Sequence, residues 1–259
     1  LQVPGMSAEA SVPRLAVRKR ARVGGRVSIR PYLWVLPAVA LFAVFRLYPI
    51  AFGLYLSLHK WDGLHPMVFV GLANYAQAIT QDATFHLALR NNVVYAFGTV
   101  IGKNAIALAL AVVLQGRVRG RTFFRTLLFT PVVMSFVVVG LLWTWIFNYQ
   151  FGLLNNLLLA VGLGGWQSDW LGNPKMALWS VIGVDVWKWY GFHMVIYLAG
   201  LQGIPATLYE AAKIDGATAW RQFRDVTLPL IRPIMVVNVT LSLMGAFNVF
   251  DLIYVMTQG

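Results

Sequence analysis

The sequence predicts an all-α polytopic membrane protein, and three observations carry that prediction. The first is composition. The 259 residues are 59% hydrophobic, with a mean hydropathy of +0.67 and only 12% charged residues, against about 25% charged in soluble domains. The second is run length. The apolar stretches are far longer than the roughly 10-residue alternating segments of a membrane barrel, and only helices and closed barrels satisfy their backbones in lipid. The third is charge placement, with Lys and Arg gathered at the ends of the apolar runs, as the positive-inside bias requires.

These observations exclude several classes. The net charge of +12 suggests nucleic acid, but no basic folded domain lies outside the runs, so no nucleic-acid partner is expected. There is no cysteine, hence no disulfide framework or thiol chemistry. His59, His65, His86 and His193 are scattered without metal-ligand spacing. No metal site is expected.

Residues 1–30 carry seven cations, Arg14, Arg18, Lys19, Arg20, Arg22, Arg26 and Arg30, against Glu9. They read as a basic, disordered cytoplasmic tail beside anionic lipid. The next apolar run is too long for a signal-peptide core, and Met6 is a candidate start. A first span is predicted over 31–58, with Pro37 and Pro49 as kinks. Arg46 sits near its middle, where an unpaired cation costs about 2.5–3.5 kcal/mol, so it should face protein or snorkel. Lys60 to Leu89 is mixed and polar and suits an external loop with an interfacial helix.

The second span is predicted over 92–114. Lys103 and Asn104 interrupt it, so one face should look into a bundle, and Gly98 and Gly102 form a G-x-x-x-G suited to close helix packing. The string Gly98 to Asn104 fails as a phosphate loop on glycine spacing and on its final residue. Arg117, Arg119, Arg121 and Arg125 mark a cytoplasmic loop. A third span follows over 126–147, kinked at Pro131 and ending in Trp143 and Trp145, which suit an aromatic belt. Residues 149–175 form a Gly- and Asn-rich external segment.

The fourth span, 176–203, holds Asp185 and Lys188 three residues apart. They read as a local ion pair or as one wall of a polar pathway. The fifth, 231–256, carries Asn238, Ser242, Asn248 and Asp251. Counting Lys and Arg by loop gives fifteen inside against three outside, which puts the N-terminus in the cytoplasm. Five spans then leave Gly259 outside, and a sixth span is expected to follow.

Between the fourth and fifth spans lies EAAKIDGATAWRQFRDVTLP, Glu210 to Pro229. Pro205 suits a helix start. A short helix is predicted through Ala211 and Ala212 to Ile214, and Gly216 permits a reversal at positive φ. Thr218 caps a second helix, expected to end before Pro229. Trp220 and Phe223 share a face, to pack on the spans or to fill a partner's groove. A plain amphipathic connector remains open on these residues alone, although connectors in bundles usually run about 2–8 residues. Both ends are tied to spans, which disfavours a DNA-binding helix–turn–helix.

The pattern E-A-A, three residues, G, nine residues, V-x-L-P closely resembles the EAA signature of permease subunits of binding-protein-dependent ABC importers. Val226 stands where isoleucine is usual. Ile214 to Ala217 (IDGA), GRTFFRTLLFTPVV from Gly120, WTWIFNYQFGLLNNLL from Trp143 and FNVFDLIYVMTQG from Phe247 resemble the carbohydrate branch, the maltose and glycerol-3-phosphate type. The resemblance covers about 31–259. It implies a type I ABC importer transmembrane domain, with a permease core from about residue 88, in the inner membrane. It also implies a cytoplasmic coupling segment over 205–229, in which Glu210, Ala211, Ala212, Asp215, Gly216, Leu228 and Pro229 meet the ATPase. The implied partners are a second homologous permease, two cytoplasmic ATPase subunits that hold ATP and Mg, and an extracytoplasmic solute-binding protein. This chain would bind no cofactor and catalyse nothing itself.

For a sugar, hydrogen-bonding side chains and aromatic faces are needed, and the candidates are Trp187, Tyr190, Asn238, Ser242, Asn248 and Asp251. Each is equally explained by helix–helix bonding or interfacial anchoring. The rival class is an ion- or proton-coupled secondary transporter using Lys103, Asp185 and Asp251. No internal repeat of the kind common in that class is visible.

Overall fold

The computed structural model describes residues 30–116 and 118–258. The basic tail up to residue 29, with Met6, lies outside the described residues, as do Arg117 and Gly259. The chain divides into two units, 1–77 and 78–259.

In the first unit, α1 (Arg30–Phe42) continues through a π turn, Ala43–Leu47, into α2 (Tyr48–Ser57). The π turn stands two residues ahead of Pro49. A proline lacks the N–H of the i→i−4 bond and crowds the i−4 carbonyl, here that of Phe45. Widening the turn at Phe45 lets the helix pass the proline. The stretch Leu33–Ser57 is apolar and none of it is buried; Arg46 is exposed within the π turn. The expected external loop begins with a two-residue antiparallel ribbon, β1 (His59–Lys60) and β2 (Val68–Phe69), and leads into α3 (Ala73–Thr80). Asn74 ties α3 to the end of α2, donating to the carbonyls of Ser57 and His59. Asp62 shapes the ribbon's turn by accepting from the backbone N–H groups of His65 and Leu64 and pairing with His65 Nδ1 at 2.6 Å. These bonds, the His65 N–H above all, hold its carboxyl down at about 2. The turn is thus supported at neutral pH and loses that support only as pH falls towards this value.

The second unit is built around two long helices, α4 (Ala83–Gln115) and α8 (Pro174–Gln202). Asp82 caps α4 by accepting from Phe85 N–H, and Asn173 caps α8 ahead of Pro174. They pack along the predicted G-x-x-x-G. A Cβ on Gly98 would lie 3.0 Å from Ile182, and one on Gly102 2.8 Å from Val186. Between them in sequence lie α5 (Arg121–Val133), α6 (Phe136–Ile146) and α7 (Leu153–Ala160). In the segment after α6, expected to be external, Asn155 is buried and accepts from Trp170 Nε1 at 2.8 Å.

After α8 come α9 (Ala206–Ile214), α10 (Ala219–Gln222), a π turn (Phe223–Thr227), α11 (Leu228–Phe247) and α12 (Asp251–Thr257). Two of the expected spans are broken. The third is not a kinked helix: α5 and α6 meet at 99°. Met134 is extended, and Ser135 restarts the chain as a cap for Val138 N–H. The fifth stops at Asn248 and resumes at Asp251, because Asn248 and Phe250 leave helical geometry. Among the described residues, three helices are long and apolar enough to cross a membrane, or four if the bent pair counts as one. α8 has the length, but its polar and aromatic residues keep it outside that set. Trp145 is exposed as a belt residue would be, whereas Trp143 packs into the core against Trp187 and Phe147.

The core of this unit lies in two apolar clusters. One holds Tyr95, Ala96, Val139, Val181, Val184, Ala246 and Leu252. The other holds Ala107, Ala111, Leu114, Met194, Leu198, Leu201 and Ile231. α4 and α8 meet the clusters in the same order along the chain, and α11 meets them in the reverse order. α4 and α8 therefore run one way and α11 the other, which puts the arginine loop and the 203–218 segment at one end of the bundle.

At Gly191 the α5 backbone lies directly against α8, since a Cβ there would run into the Leu128 carbonyl oxygen. Gly191→Ala should force α5 away and cost about 1–3 kcal/mol, read as a lower Tm in detergent. Gly183→Ala, with nothing within 4 Å, should not lower it.

Candidate functional site

The segment singled out in the sequence is an exposed hook. Pro205 is extended and starts α9, which ends in a Schellman motif. Gly216 has φ +75°. Its N–H bonds the Lys213 carbonyl at 3.0 Å, and Ala217 N–H bonds the Ala212 carbonyl at 2.9 Å. Thr218 caps α10 as expected, accepting from Arg221 N–H.

α9 is held by one side. Tyr209 and Ala212 are half-buried, and the Tyr209 hydroxyl meets Thr227 Oγ1 at 2.9 Å. Thr227 in turn bonds the Gln222 carbonyl. Glu210, Ala211, Asp215 and Gly216 are exposed. Ile214 is 87% exposed and shares the outward face with Glu210, four residues earlier. An isoleucine this exposed on an anchored helix is a knob without a socket among the described residues.

The expected end of the second helix before Pro229 does not occur. The chain runs from α10 through the π turn into α11 as one apolar helix, Ala219–Phe247. Pro229 follows its π turn by two residues, as Pro49 does, and the widened turn falls on Asp225, whose carbonyl the ring would otherwise crowd. Leu228 and Pro229 therefore open α11, half-buried and exposed respectively. Trp220 and Phe223 stack, with ring centroids 5.6 Å apart. With Ala105, Leu108, Ala109 and Val112 of α4 they line an apolar groove of about 490 Å³.

Between the two apolar clusters lies a buried polar layer. The expected local pair of Asp185 with Lys188 is not formed. Asp185 pairs with Lys103 of α4 at 2.6 Å, both side chains 3% exposed. Lys188 turns to carbonyls of α5 instead. A continuous hydrogen-bond chain lies in the same layer. Tyr197 O–H donates to Asn104 Oδ1 (2.6 Å), Asn104 Nδ2 to Ser242 Oγ (3.0 Å), Ser242 O–H to His193 Nε2 (3.2 Å), and His193 Nδ1–H to Asn238 Oδ1 (2.8 Å). Asn238 Nδ2 returns to the His193 carbonyl. Because Asn238 gives its Nδ2 to the His193 carbonyl, its Oδ1 is the acceptor, and His193 carries a proton on Nδ1.

This places the sugar candidates. Asn238 and Ser242 are fully buried and use their polar atoms between helices. Asn248 is exposed and donates to its own helix at the Met244 carbonyl. Asp251 is exposed in the first turn of α12. Trp187 and Tyr190 are half-buried on α8, with Trp187 edge-on to Trp143. The six do not form one site. Sequence reasoning passed over Tyr209, Thr227, His193 and Tyr197. A tyrosine inside an otherwise charged segment was the available signal for Tyr209. The others meet partners too far along the chain to leave a local pattern.

Residues 103–259 match the family described as binding-protein-dependent transport system inner membrane component. The chain belongs to this family. It is 40% identical over 234 residues to a probable ABC transporter permease, YurN of Bacillus subtilis, covering 89% of this chain and 80% of the relative. It is 36% identical to the lactose transport permease LacF of Rhizobium radiobacter, over 95% of this chain and 82% of that one. It is 35% identical to the trehalose/maltose transport permease MalF of Thermococcus litoralis, over 88% and 77%. Among solved structures, a bacterial alginate ABC transporter, crystallised with its alginate pentasaccharide-bound periplasmic protein, has a chain that superposes with TM-score 0.75. That match has 25% identity and covers 88% of this chain and 76% of the other. The fold is the type I permease fold, and the protein is a multi-pass inner-membrane component. Relatives of this kind are permease subunits rather than enzymes, with ATP hydrolysis in a partner.

Removing one member of the buried pair, by Lys103→Met or Asp185→Asn, should cost about 3–5 kcal/mol by stranding the other charge. The double replacement Lys103→Met with Asp185→Leu should recover most of that, as followed by thermal unfolding in detergent.

Proposed function

We propose that this chain is the permease subunit of an ATP-driven importer that moves a sugar, oligosaccharide or related polyol or glycerol-phosphate into the cytoplasm. The hook over 205–229 is what couples it to a separate ATPase. The observation that carries this reading is the hook itself: Glu210, Ala211 and Ile214 stand exposed on a helix anchored by Tyr209 and closed by a Schellman turn. Beyond its turn at Gly216, the hook's second helix continues into α11 without a break, which makes the hook a lever rather than a tether. Family membership supports a solute-binding protein and an ATPase as partners. The paired architecture of such importers supplies a second permease and a second ATPase subunit, with ATP and Mg held there.

The cytoplasmic side is assigned to the end that carries the hook and the arginine loop, on the charge bias of the loops. The sugar class is supported by the relatives for lactose and trehalose/maltose and by the alginate transporter. For solute contact, the exposed Asn248 and Asp251 at the α11–α12 break are the leading candidates, with Trp187 and Tyr190 as aromatic faces. Asn238 and Ser242 would act by holding the helices that carry them. The ion-coupled alternative loses its relay, because Lys103 and Asp185 neutralise one another.

In the assembled transporter, Glu210→Lys with Gly216→Pro should abolish co-purification of the ATPase and ATP-dependent uptake. Proline cannot adopt φ +75°. Retained assembly and retained solute-stimulated ATP hydrolysis would show that the hook is not the coupling element.

A further inference from the structure

Lys188 lies on α8 where the break between α5 and α6 crosses it, and only 2% of it is exposed. Its ammonium donates to the carbonyls of Pro131 (3.3 Å), Val132 (3.2 Å) and Met134. It also stands 4.9 Å from the centroid of the Phe136 ring and 5.2 Å from that of Trp189, within cation–π range. An ammonium has three N–H donors, and three carbonyls receive them. Among the described residues no carboxylate is within ion-pair distance, since Asp185 is bound to Lys103. Lys188 is thus not a cation held open for an acidic solute, and it is not half of a salt bridge.

The carbonyls it serves belong to the end of α5. A helix end leaves its last carbonyls without partners. In lipid these must be satisfied inside the protein. A cation at a helix C-terminus also meets the negative end of the helix dipole. Gly191, three residues on, brings the α5 backbone close enough for the lysine to reach.

We propose that Lys188 is a positioning residue that sets the angle of the broken span. With its three bonds in place, α5 stops at Val133 and the chain leaves at 99°. That direction seats α6 on α12, where a Cβ on Gly140 would lie 2.7 Å from Val255. The angle at the break therefore decides where α12, and with it Asp251, is held. This role is independent of which solute is carried and of how the hook meets its partner.

The test is a distance across the bend in the full, assembled transporter, by pulsed electron spin resonance between labels at Leu127 and Leu141, both exposed. The native chain should give one narrow distribution. Lys188→Met, which keeps an unbranched side chain one atom shorter and removes the donors, should shift it to longer distances and broaden it as the two helices straighten. Lys188→Arg, which keeps the cation and donors, should restore the narrow peak, as a purely space-filling role would not. If Lys188→Met does not assemble, Lys188→Gln, with two donors, should give an intermediate distribution. A native distribution in either the Met or the Gln variant overturns the proposal.

Discussion

The Lys103–Asp185 pair sits beside the close Gly102–Val186 contact between α4 and α8. Two charges this deeply buried are tolerable only together, so α4 and α8 can be apposed in one register. Once that register is set, Asn104 and Tyr197 face each other, and Ser242 and Asn238 of α11 complete the hydrogen-bond chain through His193. Apolar packing above and below could slide; the polar layer cannot do so without stranding a donor or a charge. This is the constraint on which the three-helix bundle depends.

The same constraint gives the hook its mechanical meaning. α11 begins at the hook and reaches the polar layer at Asn238 and Ser242 with no intervening break. The π turn at Phe223–Thr227 is what lets the helix pass Pro229 intact. On the proposed reading, a pull on Ile214 and Glu210 passes through the Tyr209–Thr227 bond and the Gly216 turn into a rigid rod, which carries it to the one layer of the bundle that resists small slips. The break in the third span lies at the level of that layer, where Lys188 holds it, and the break in the fifth lies beyond it.

Much of this was legible in the residues. The run lengths and charge bias marked a helical membrane protein. Gly98 and Gly102 marked the α4–α8 contact, and Pro205, Gly216 and Thr218 marked the turns of the hook. These features are local, written within a few residues of one another. What failed was of two kinds. Prolines were read as stops or kinks, whereas π turns carry the helix past Pro49 and Pro229, and the third span breaks three residues after Pro131. Charges were paired by proximity in sequence, so Asp185 was given to Lys188, three residues away, when its partner is Lys103. Asn238 and Ser242 looked like pathway residues because polar side chains in an apolar run carry no mark of what they face.

The central claim is that the exposed face of the short helix Ala206–Ile214 is where this permease meets an ATPase. The most direct measurement is site-specific crosslinking from a cysteine at Ile214 in the assembled transporter, an uncomplicated label site in a chain without native cysteine. The account predicts a crosslink to the ATPase subunit that responds to ATP. A label that reaches only lipid or the permease itself, while one placed in the arginine loop captures the ATPase, would contradict it.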